Sequence, residues 1–133
     1  MKNTYIIGEI GQNHNGSVDL AKLIIELISR PVHEDVFGMD FMPMNAVKMT
    51  KRALSEELAV SQMNQIYDNP NSFGRTYGEH RAFLELDDQA HFEIYKYAKS
   101  LGLDFIETLC AKGCLSLLCL LYTSPSPRDR SLS

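Results

Sequence analysis

Residues 5–17 read YIIGEIGQNHNGS, and this stretch decides the fold. The first part is a short apolar run that carries one carboxylate, Glu9, near its end. A polar turn that contains glycine, residues 11–17, follows at once, and an amphipathic segment comes directly after it. Because an unpaired carboxylate is costly to remove from water, Glu9 in such a strand points to a function. Polar turns between a strand and a helix are where α/β proteins place catalytic groups.

The rest of the chain alternates strand and helix patterns. A first strand is predicted at residues 4–10, and a helix follows from its cap Ser17 to Arg30–Pro31. A second strand is predicted at residues 45–49, a short helix at 55–66 and a long loop at 68–79. Asp87 is predicted to cap a helix that Gly102 ends, and a third strand follows at 103–109. This alternation predicts parallel βα units.

Composition narrows the class of protein. The chain has 133 residues, of which 44% are hydrophobic and 23% charged, with a formal net charge of -4, which predicts a soluble globular domain. Since Lys and Arg do not cluster, a nucleic-acid partner is not expected. No apolar run reaches the roughly 20 residues that span a bilayer, so no membrane association is expected either. The three cysteines and the absence of a signal-peptide pattern predict a cytoplasmic protein with reduced thiols.

The composition of the chain changes near its C-terminal end. Residues 119–133 are rich in Ser, Pro and Arg after the first few positions and show no periodicity, which predicts disorder. This segment is also similar to adapter or vector sequence that has been translated as protein. We therefore expect the native domain to occupy residues 1–118 and the remainder to be a non-native tail.

Three polar residues lie at the ends of three successive predicted strands: Glu9, Lys48 and Thr108. The carboxyl ends of parallel strands share one face of a barrel, and that face holds the active site. The pattern therefore predicts one joint site.

Several blocks of the chain resemble the sialic acid synthase family, whose members make N-acetylneuraminate and related nonulosonic acids. These blocks, in chain order, are EIGQNHNG at 9–16, AVK at 46–48, TYGEHR at 76–81 and FIET at 105–108. The resemblance runs from about residue 5 to residue 118. It implies an α/β fold in which this chain is the N-terminal fragment, about three βα units, of a TIM barrel, since a whole barrel takes roughly 250 residues.

The resemblance also implies an activity. Family members condense phosphoenolpyruvate with an N-acylated mannosamine-type sugar and release phosphate. They need a divalent metal, manganese or magnesium, whose ligands are not expected in this chain. They act as homodimers.

The resemblance assigns roles to strand residues. Glu9 is expected to be catalytic, stabilising an oxocarbenium-like centre or moving a proton. Lys48 is expected to bind phosphoenolpyruvate as a compact cation. Thr108 would donate a hydrogen bond to phosphate, and Thr50 stands where the family commonly has Gln, which shortens the reach of a donor there. The structural alternatives are that Glu9 pairs with Lys48 or Arg81 for packing and that Lys48 extends to solvent.

Two further groups of substrate-contacting residues follow from the resemblance. Asn13 and His14 are expected to shape the turn near the substrate, with His14 in a positioning role and not as a metal ligand. Tyr77 and Arg81 are expected in a loop over the barrel mouth, where Arg81 could hold a carboxylate through two hydrogen bonds. Read without the family, Glu79 and Arg81 form a surface pair that contributes little.

Two other hypotheses remain open at the level of sequence. The chain could belong to a TIM-barrel aldolase in which Lys48 attacks a carbonyl and forms a Schiff base. It could also be a non-catalytic fragment. We expect the chain as printed to be inactive and poorly soluble, because a three-stranded arc leaves open strand edges and an uncovered apolar face.

Overall fold

The computed structural model describes residues 4–123, which form an α/β arrangement. In chain order the elements are β1 (Ile7–Gly11), α1 (Val18–Ile28), β2 (Val32–Glu34), β3 (Met39–Phe41), β4 (Ala46–Lys51), α2 (Leu54–Glu57), α3 (Val60–Met63), α4 (Tyr77–Leu84), α5 (Asp88–Ser100), β5 (Asp104–Leu109), a 3₁₀ turn (Lys112–Cys114) and α6 (Leu115–Thr123). The three-stranded sheet has the order β1–β4–β5 and both of its pairings are parallel. The predicted parallel βα arrangement is thereby confirmed.

The two long helices begin at the residues that the sequence predicts. Ser17 Oγ accepts a hydrogen bond from the Leu20 N–H at 3.2 Å, and Asp87 Oδ1 accepts one from the Ala90 N–H at 2.8 Å. Each cap satisfies a backbone donor that has no partner inside the helix. Gly102 follows α5 with φ +81°, a conformation that favours glycine, and it turns the chain into β5.

One face of the sheet packs against α1 and α5 and forms the core. Ile10, Val47 and Met49 are 0–2% exposed, and they contact residues of both helices. The helical side of this cluster consists of Ala21, Ile25, Ile94 and Ala98, all fully buried. Since side chains alternate along a strand, the neighbours of Val47 and Met49 in β4 point to the opposite face.

The connection between α1 and β4 contains a short hairpin that the sequence analysis did not predict. β2 and β3 pair antiparallel, with Val32 opposite Phe41. The Glu34 carboxylate accepts the backbone N–H groups of Val36 and Phe37 at 2.7 and 2.9 Å, which closes the turn. The strands are only three residues long, too short to give a periodic pattern.

The single helix predicted at 55–66 is wrong, because the structure has two short helices there. α2 ends at Glu57, the backbone of its C-cap Leu58 is extended (φ -119°, ψ 130°), and α3 begins after Ala59. No buried residue lies on either helix, so no apolar stripe joins them into one continuous element.

The block that contains Tyr77 and Arg81 is helix α4 and not part of a loop. A capping box starts it: Thr76 Oγ1 accepts the Glu79 N–H at 3.2 Å, and the Glu79 carboxylate accepts the Thr76 N–H at 3.1 Å. Gly78 is buried inside this helix, and a Cβ there would lie 2.8 Å from the carbonyl oxygen of Met63. Gly78 therefore allows α4 to approach α3 closely.

The C-terminal part of the described chain is helical. α6 runs to Thr123, past the predicted domain boundary at residue 118. The rest of the predicted tail lies outside the described residues. No helix in residues 4–123 has the length and apolarity needed to cross a bilayer.

Replacing Gly16 by Ala tests how tightly the turn after β1 packs against α4. Gly16 has φ +72°, and a Cβ there would lie 2.4 Å from the carbonyl oxygen of Phe83. We expect G16A to lower the free energy of unfolding by about 3 kcal/mol, because overpacking adds to the backbone strain. Urea denaturation measures the loss.

Gly38→Ala is the matched control for this change. Gly38 also has positive φ, +61°, but nothing lies within 4 Å of its Cβ position. The control should cost about 1 kcal/mol, from the backbone alone. Equal losses in G16A and G38A would show that the turn does not pack as described.

Candidate functional site

Glu9 and Lys48 form an ion pair on the face of the sheet opposite the helices. They are direct neighbours in the parallel register of β1 and β4, and Lys48 Nζ lies 2.8 Å from Glu9 Oε2. The Glu9 side chain is 51% exposed and that of Lys48 is 36% exposed. An ion pair with this exposure adds little stability, and both groups remain accessible to a ligand. The pairing that the sequence offered as a structural alternative is therefore present and compatible with ligand contact.

Thr50 and Thr108 lie on the same face. They are register partners in β4 and β5, and Thr50 follows Lys48 on the same side of its strand. The register thus brings the carboxylate of Glu9, the ammonium of Lys48 and two hydroxyl groups to one face near the carboxyl ends of the strands. A cation and hydroxyl donors are groups that bind phosphate or carboxylate.

The turn after β1 is held by its own side chains. Asn13 Nδ2 donates to the Ile10 carbonyl at 2.9 Å, and His14 Nδ1 accepts the Gly16 N–H at 3.1 Å. His14 is only 2% exposed. Its burial, followed by the nearby His91, lowers the pKa of His14, while a hydrogen bond to the Gly11 backbone opposes this shift. His14 therefore supports the turn as a neutral imidazole, and its role in positioning a substrate stays a prediction.

A buried histidine–carboxylate pair lies on the helix side of the sheet. His91 Nδ1 of α5 is 3.0 Å from Glu107 Oε2 of β5, and the two side chains are 1% and 4% exposed. Glu107 Oε1 is buried and has no hydrogen-bond partner among the described residues. The pair fixes α5 to β5, next to His14. Sequence reasoning missed it, although Glu107 in the middle of an apolar strand was a signal.

The basic residues that follow Lys48 have partners of their own. Lys51 donates to the Leu86 carbonyl, and Arg52 Nη1 donates to Glu57 Oε2 at 2.8 Å. Lys51 alternates with Thr50 and so belongs to the helix side of the sheet. These contacts of Lys51 and Arg52 do not bring either side chain beside the Glu9–Lys48 pair.

Glu85 links the end of α4 to the turn after β1. Gln12 Nε2 donates to Glu85 Oε1 at 3.0 Å. Burial raises the pKa of Glu85, and the neighbouring cation Lys51 opposes that shift. Gln12 and Glu85 are 73 positions apart in the sequence, so no local sequence pattern indicates this contact.

Tyr77 and Arg81 contact each other within α4. Arg81 Nη1 donates to the Tyr77 hydroxyl at 2.8 Å, and the guanidinium carbon lies 5.5 Å from the centre of the Tyr77 ring. The Glu79–Arg81 surface pair considered from the sequence is absent among the contacts of the described chain, since Glu79 caps the helix instead. The Nε and Nη2 atoms of Arg81 are buried without a partner in residues 4–123.

A cavity of about 470 Å³ opens between the turn after β1 and the segment that precedes α4. It is lined by Gln12, Asn13, Asn15, Pro70, Asn71, Ser72, Phe73, His80 and Leu84. Its polar lining consists of amides, a hydroxyl and an imidazole, so it can donate and accept many hydrogen bonds without carrying a fixed charge. Tyr77 and Arg81 are not in this lining, whereas Asn13 is.

Sequence reasoning missed Asn71, Phe73 and His80 in this cavity. The signal available was the length of the loop rich in Asn, Pro and Gly, because such loops in compact domains are usually functional or disordered. The pattern could not indicate which of its side chains face the turn after β1.

No group of three or more His, Cys, Asp or Glu side chains in residues 4–123 could hold a metal ion. The residues present do not fit the divalent metal that the resemblance implies, so we assign no chemical step to a metal in this chain.

The curated proteins that are similar to this chain are synthases of N-acetylneuraminate 9-phosphate or of N,N'-diacetyllegionaminic acid. N-acetylneuraminate-9-phosphate synthase of Homo sapiens is 33% identical over 101 residues, which is 76% of this chain and 25% of that protein. The enzyme of the same name from Drosophila melanogaster is 33% identical over 115 residues, 86% of this chain and 28% of that protein. N,N'-diacetyllegionaminic acid synthase of Campylobacter jejuni is 33% identical over 108 residues, 81% of this chain and 29% of that protein.

Over the matched residues, this chain belongs to the sialic acid synthase family. It spans between 25% and 29% of the length of these relatives. No protein-family model matches the chain. A crystal structure of N-acetylneuraminic acid synthetase from Leptospira borgpetersenii, in complex with citrate, superposes with a TM-score of 0.54 at 18% identity. The match covers 89% of this chain and 33% of that one, and it supports the fold alone.

The lowered pKa of His14 predicts how stability changes with pH. Unfolded His14 takes up a proton near pH 6.5, whereas the folded residue does so only at lower pH. Its contribution to stability is therefore present above about pH 6.5 and is lost as the pH falls through the folded pKa. We expect the His14 Cε1–H resonance to titrate with a midpoint below 6.5 in NMR spectra of the folded chain.

The variant His14→Asn provides the comparison. The Asn oxygen can accept the Gly16 N–H as Nδ1 does, but it does not titrate in this range. The free energy of unfolding of H14N should fall less between about pH 6.5 and pH 5 than that of the parent chain. A normal or raised His14 midpoint would contradict the buried, neutral state.

Proposed function

We propose that this chain forms the phosphoenolpyruvate-holding part of a synthase that condenses phosphoenolpyruvate with an N-acylmannosamine-type sugar. The product would be a sialic, or nonulosonic, acid, and phosphate would be released. The observation that carries the proposal is the accessible Glu9–Lys48 pair, with Lys48 Nζ 2.8 Å from Glu9 Oε2, in a chain whose relatives are nonulosonate synthases. The three parallel strands would be the first of eight in a TIM barrel.

Lys48 would bind the anionic groups of phosphoenolpyruvate. Its ammonium can donate to phosphate or carboxylate oxygens, and the hydroxyls of Thr50 and Thr108 can donate to the same anion. An anion that accepts hydrogen bonds from the Lys48 ammonium competes with Glu9 for its N–H groups. Glu9 would then be free to face the reacting carbons.

Glu9 would act on the charge that develops during the reaction. When the enol carbon of phosphoenolpyruvate attacks the aldehyde carbon of the open-chain sugar, positive charge develops at the carbon that bears the phosphate. A carboxylate beside that carbon stabilises it, because opposite charges interact strongly in a site that excludes water. Water then adds to this carbon, and the resulting tetrahedral intermediate expels phosphate.

The cavity beside the turn after β1 is our candidate for the acceptor sugar. It begins directly beyond Gly11, at the same end of the sheet as Glu9, and its neutral amides suit a ligand with many hydroxyl groups and an N-acyl group. The divalent metal and the homodimer stay predictions from the resemblance.

Lys48→Gln tests the binding of phosphoenolpyruvate. The change removes a charge-assisted contact of about 1.5–3 kcal/mol, so we expect at least roughly tenfold weaker binding to the chain. Isothermal titration calorimetry with phosphoenolpyruvate measures the affinity. Lys96→Gln is the matched control: it removes the same charge from an exposed position on α5, where the ammonium lies 4.9 Å from the Phe92 ring centre. If K48Q binds as the parent and K96Q do, Lys48 is not part of the site.

The aldolase hypothesis makes a different prediction about the same lysine. A Schiff-base enzyme incubated with pyruvate and borohydride acquires a covalent adduct on its reactive amine. The proposed synthase forms no such imine, so the mass of the chain should stay unchanged. A pyruvate adduct on Lys48 would replace the synthase proposal with the aldolase.

A further inference from the structure

We propose that His80 contacts the acceptor sugar and donates its Nε2–H to a sugar oxygen, while its Nδ1 holds the cavity wall. The inference rests on the proposed function, and it concerns a residue that the motif-based assignment left without a role. His80 lies in the lining of the 470 Å³ cavity, opposite the turn that carries Asn13 and Asn15.

The hydrogen bond that His80 accepts decides where its proton is. Phe73 N–H donates to His80 Nδ1 at 3.2 Å. A ring nitrogen that accepts a hydrogen bond carries no hydrogen, so the proton of the neutral imidazole is on Nε2. No residue within 4–123 accepts a hydrogen bond from Nε2 of His80, and this donor is left for a ligand in the cavity.

The ring is held in place on both sides. Helix α4 fixes its backbone, because the His80 N–H donates to the Thr76 carbonyl at 3.1 Å. The Phe73 ring stacks on the imidazole at 5.8 Å between centroids, and the Tyr67 ring lies at 4.7 Å. A donor with a fixed direction loses little conformational entropy when a ligand binds, which favours affinity and selectivity.

His80 differs from the other polar groups of the cavity. The side-chain amides of Asn15 and Asn71 can rotate and present either a donor or an acceptor, and Asn13, whose Nδ2 donates to the Ile10 carbonyl, still offers its side-chain oxygen as an acceptor. In its Nε2–H tautomer, His80 presents only a donor. It therefore selects a ligand oxygen that accepts, such as an N-acyl carbonyl or a hydroxyl oxygen of an uncharged amino sugar.

Two substitutions test the roles of Nδ1 and Nε2 of His80 separately. In His80→Asn the side-chain oxygen takes the place of Nδ1 and can accept the Phe73 N–H, but nothing reaches the position of Nε2. In His80→Gln the amide nitrogen reaches the position of Nε2 and can donate to the ligand, but the Phe73 N–H loses its acceptor. A ligand role and a purely structural role therefore predict opposite rescues.

The experiment titrates N-acetylmannosamine into the full 133-residue chain and follows backbone and imidazole resonances by NMR. We expect the free chain to show the Nε2–H tautomer at His80. H80N should bind the sugar roughly five- to tenfold more weakly than the parent, the size of one neutral hydrogen bond, and H80Q should restore most of the affinity. The backbone spectra of both variants control for folding.

Any other outcome overturns the role of His80, the sugar cavity or the proposed function, depending on the result. An Nδ1–H tautomer, or equal sugar affinity of H80N and the parent, overturns the role of His80 and leaves the proposed function in place. If the parent binds phosphoenolpyruvate through Lys48 but no N-acetylmannosamine, the sugar cavity and His80 fall together, whereas the phosphoenolpyruvate site stands. Loss of phosphoenolpyruvate binding as well would refute the proposed function itself.

Discussion

The parallel register between β1 and β4 determines both the core and the candidate site. Glu9 lies opposite Lys48, and the pairing then shifts so that Gly11 lies opposite Met49. Gly11 adopts φ +55° at this irregularity, and Ile10 enters the core at 2% exposure. If the register slipped by one residue, Lys48 would point at the helices and Val47 at the open face, since side chains alternate along a strand. One register thus buries the apolar residues and exposes the reactive ones.

The two faces of the sheet use polar residues in opposite ways. On the helix side, His91 and Glu107 are almost fully buried and bound to each other, so they hold α5 against β5. On the open side, Glu9 and Lys48 pair with half of the carboxylate side chain exposed. Ion pairs that are accessible to ligands can exchange partners at low cost, whereas a buried pair cannot be broken without leaving a desolvated charge. This difference separates the structural polar residues from those available for chemistry.

Local patterns in the sequence predict the elements that carry their own signals. The caps Ser17 and Asp87, the terminating Gly102 and all three parallel strands could be found from spacing and residue type. Helix α4 could have been found as well, because Thr76 and Glu79 form the signature of a capping box, but the surrounding Asn, Pro and Gly favoured a loop. The hairpin β2–β3 has strands too short for any periodic signal.

The candidate site was predictable only in part, for a physical reason. Glu9, Lys48 and Thr108 follow from the rule that parallel strands end on one side, which needs no knowledge of tertiary contacts, whereas Thr50 came from the family resemblance. The link from Gln12 to Glu85, the pair His91–Glu107 and the cavity around His80 depend on which distant segments pack together. Single-sequence patterns carry no information on such packing, so these groups emerge only from the structure.

Side-chain bonds at the amino ends of the strands constrain the order in which this chain can fold. The Ile6 N–H donates to Asn45 Oδ1 at 2.8 Å, and the Tyr5 hydroxyl donates to Asp104 Oδ2 at 2.6 Å across 99 positions of the chain. During synthesis on the ribosome, β1 has no strand to pair with until β4 has emerged. The Tyr5 hydroxyl likewise lacks its acceptor, Asp104, until β5 has emerged. Contacts of such long range fold slowly because loop closure must precede them. Until then Ile10, which is only 2% exposed in the folded chain, stays in contact with water, so the nascent chain presents an apolar segment of the kind that chaperones bind.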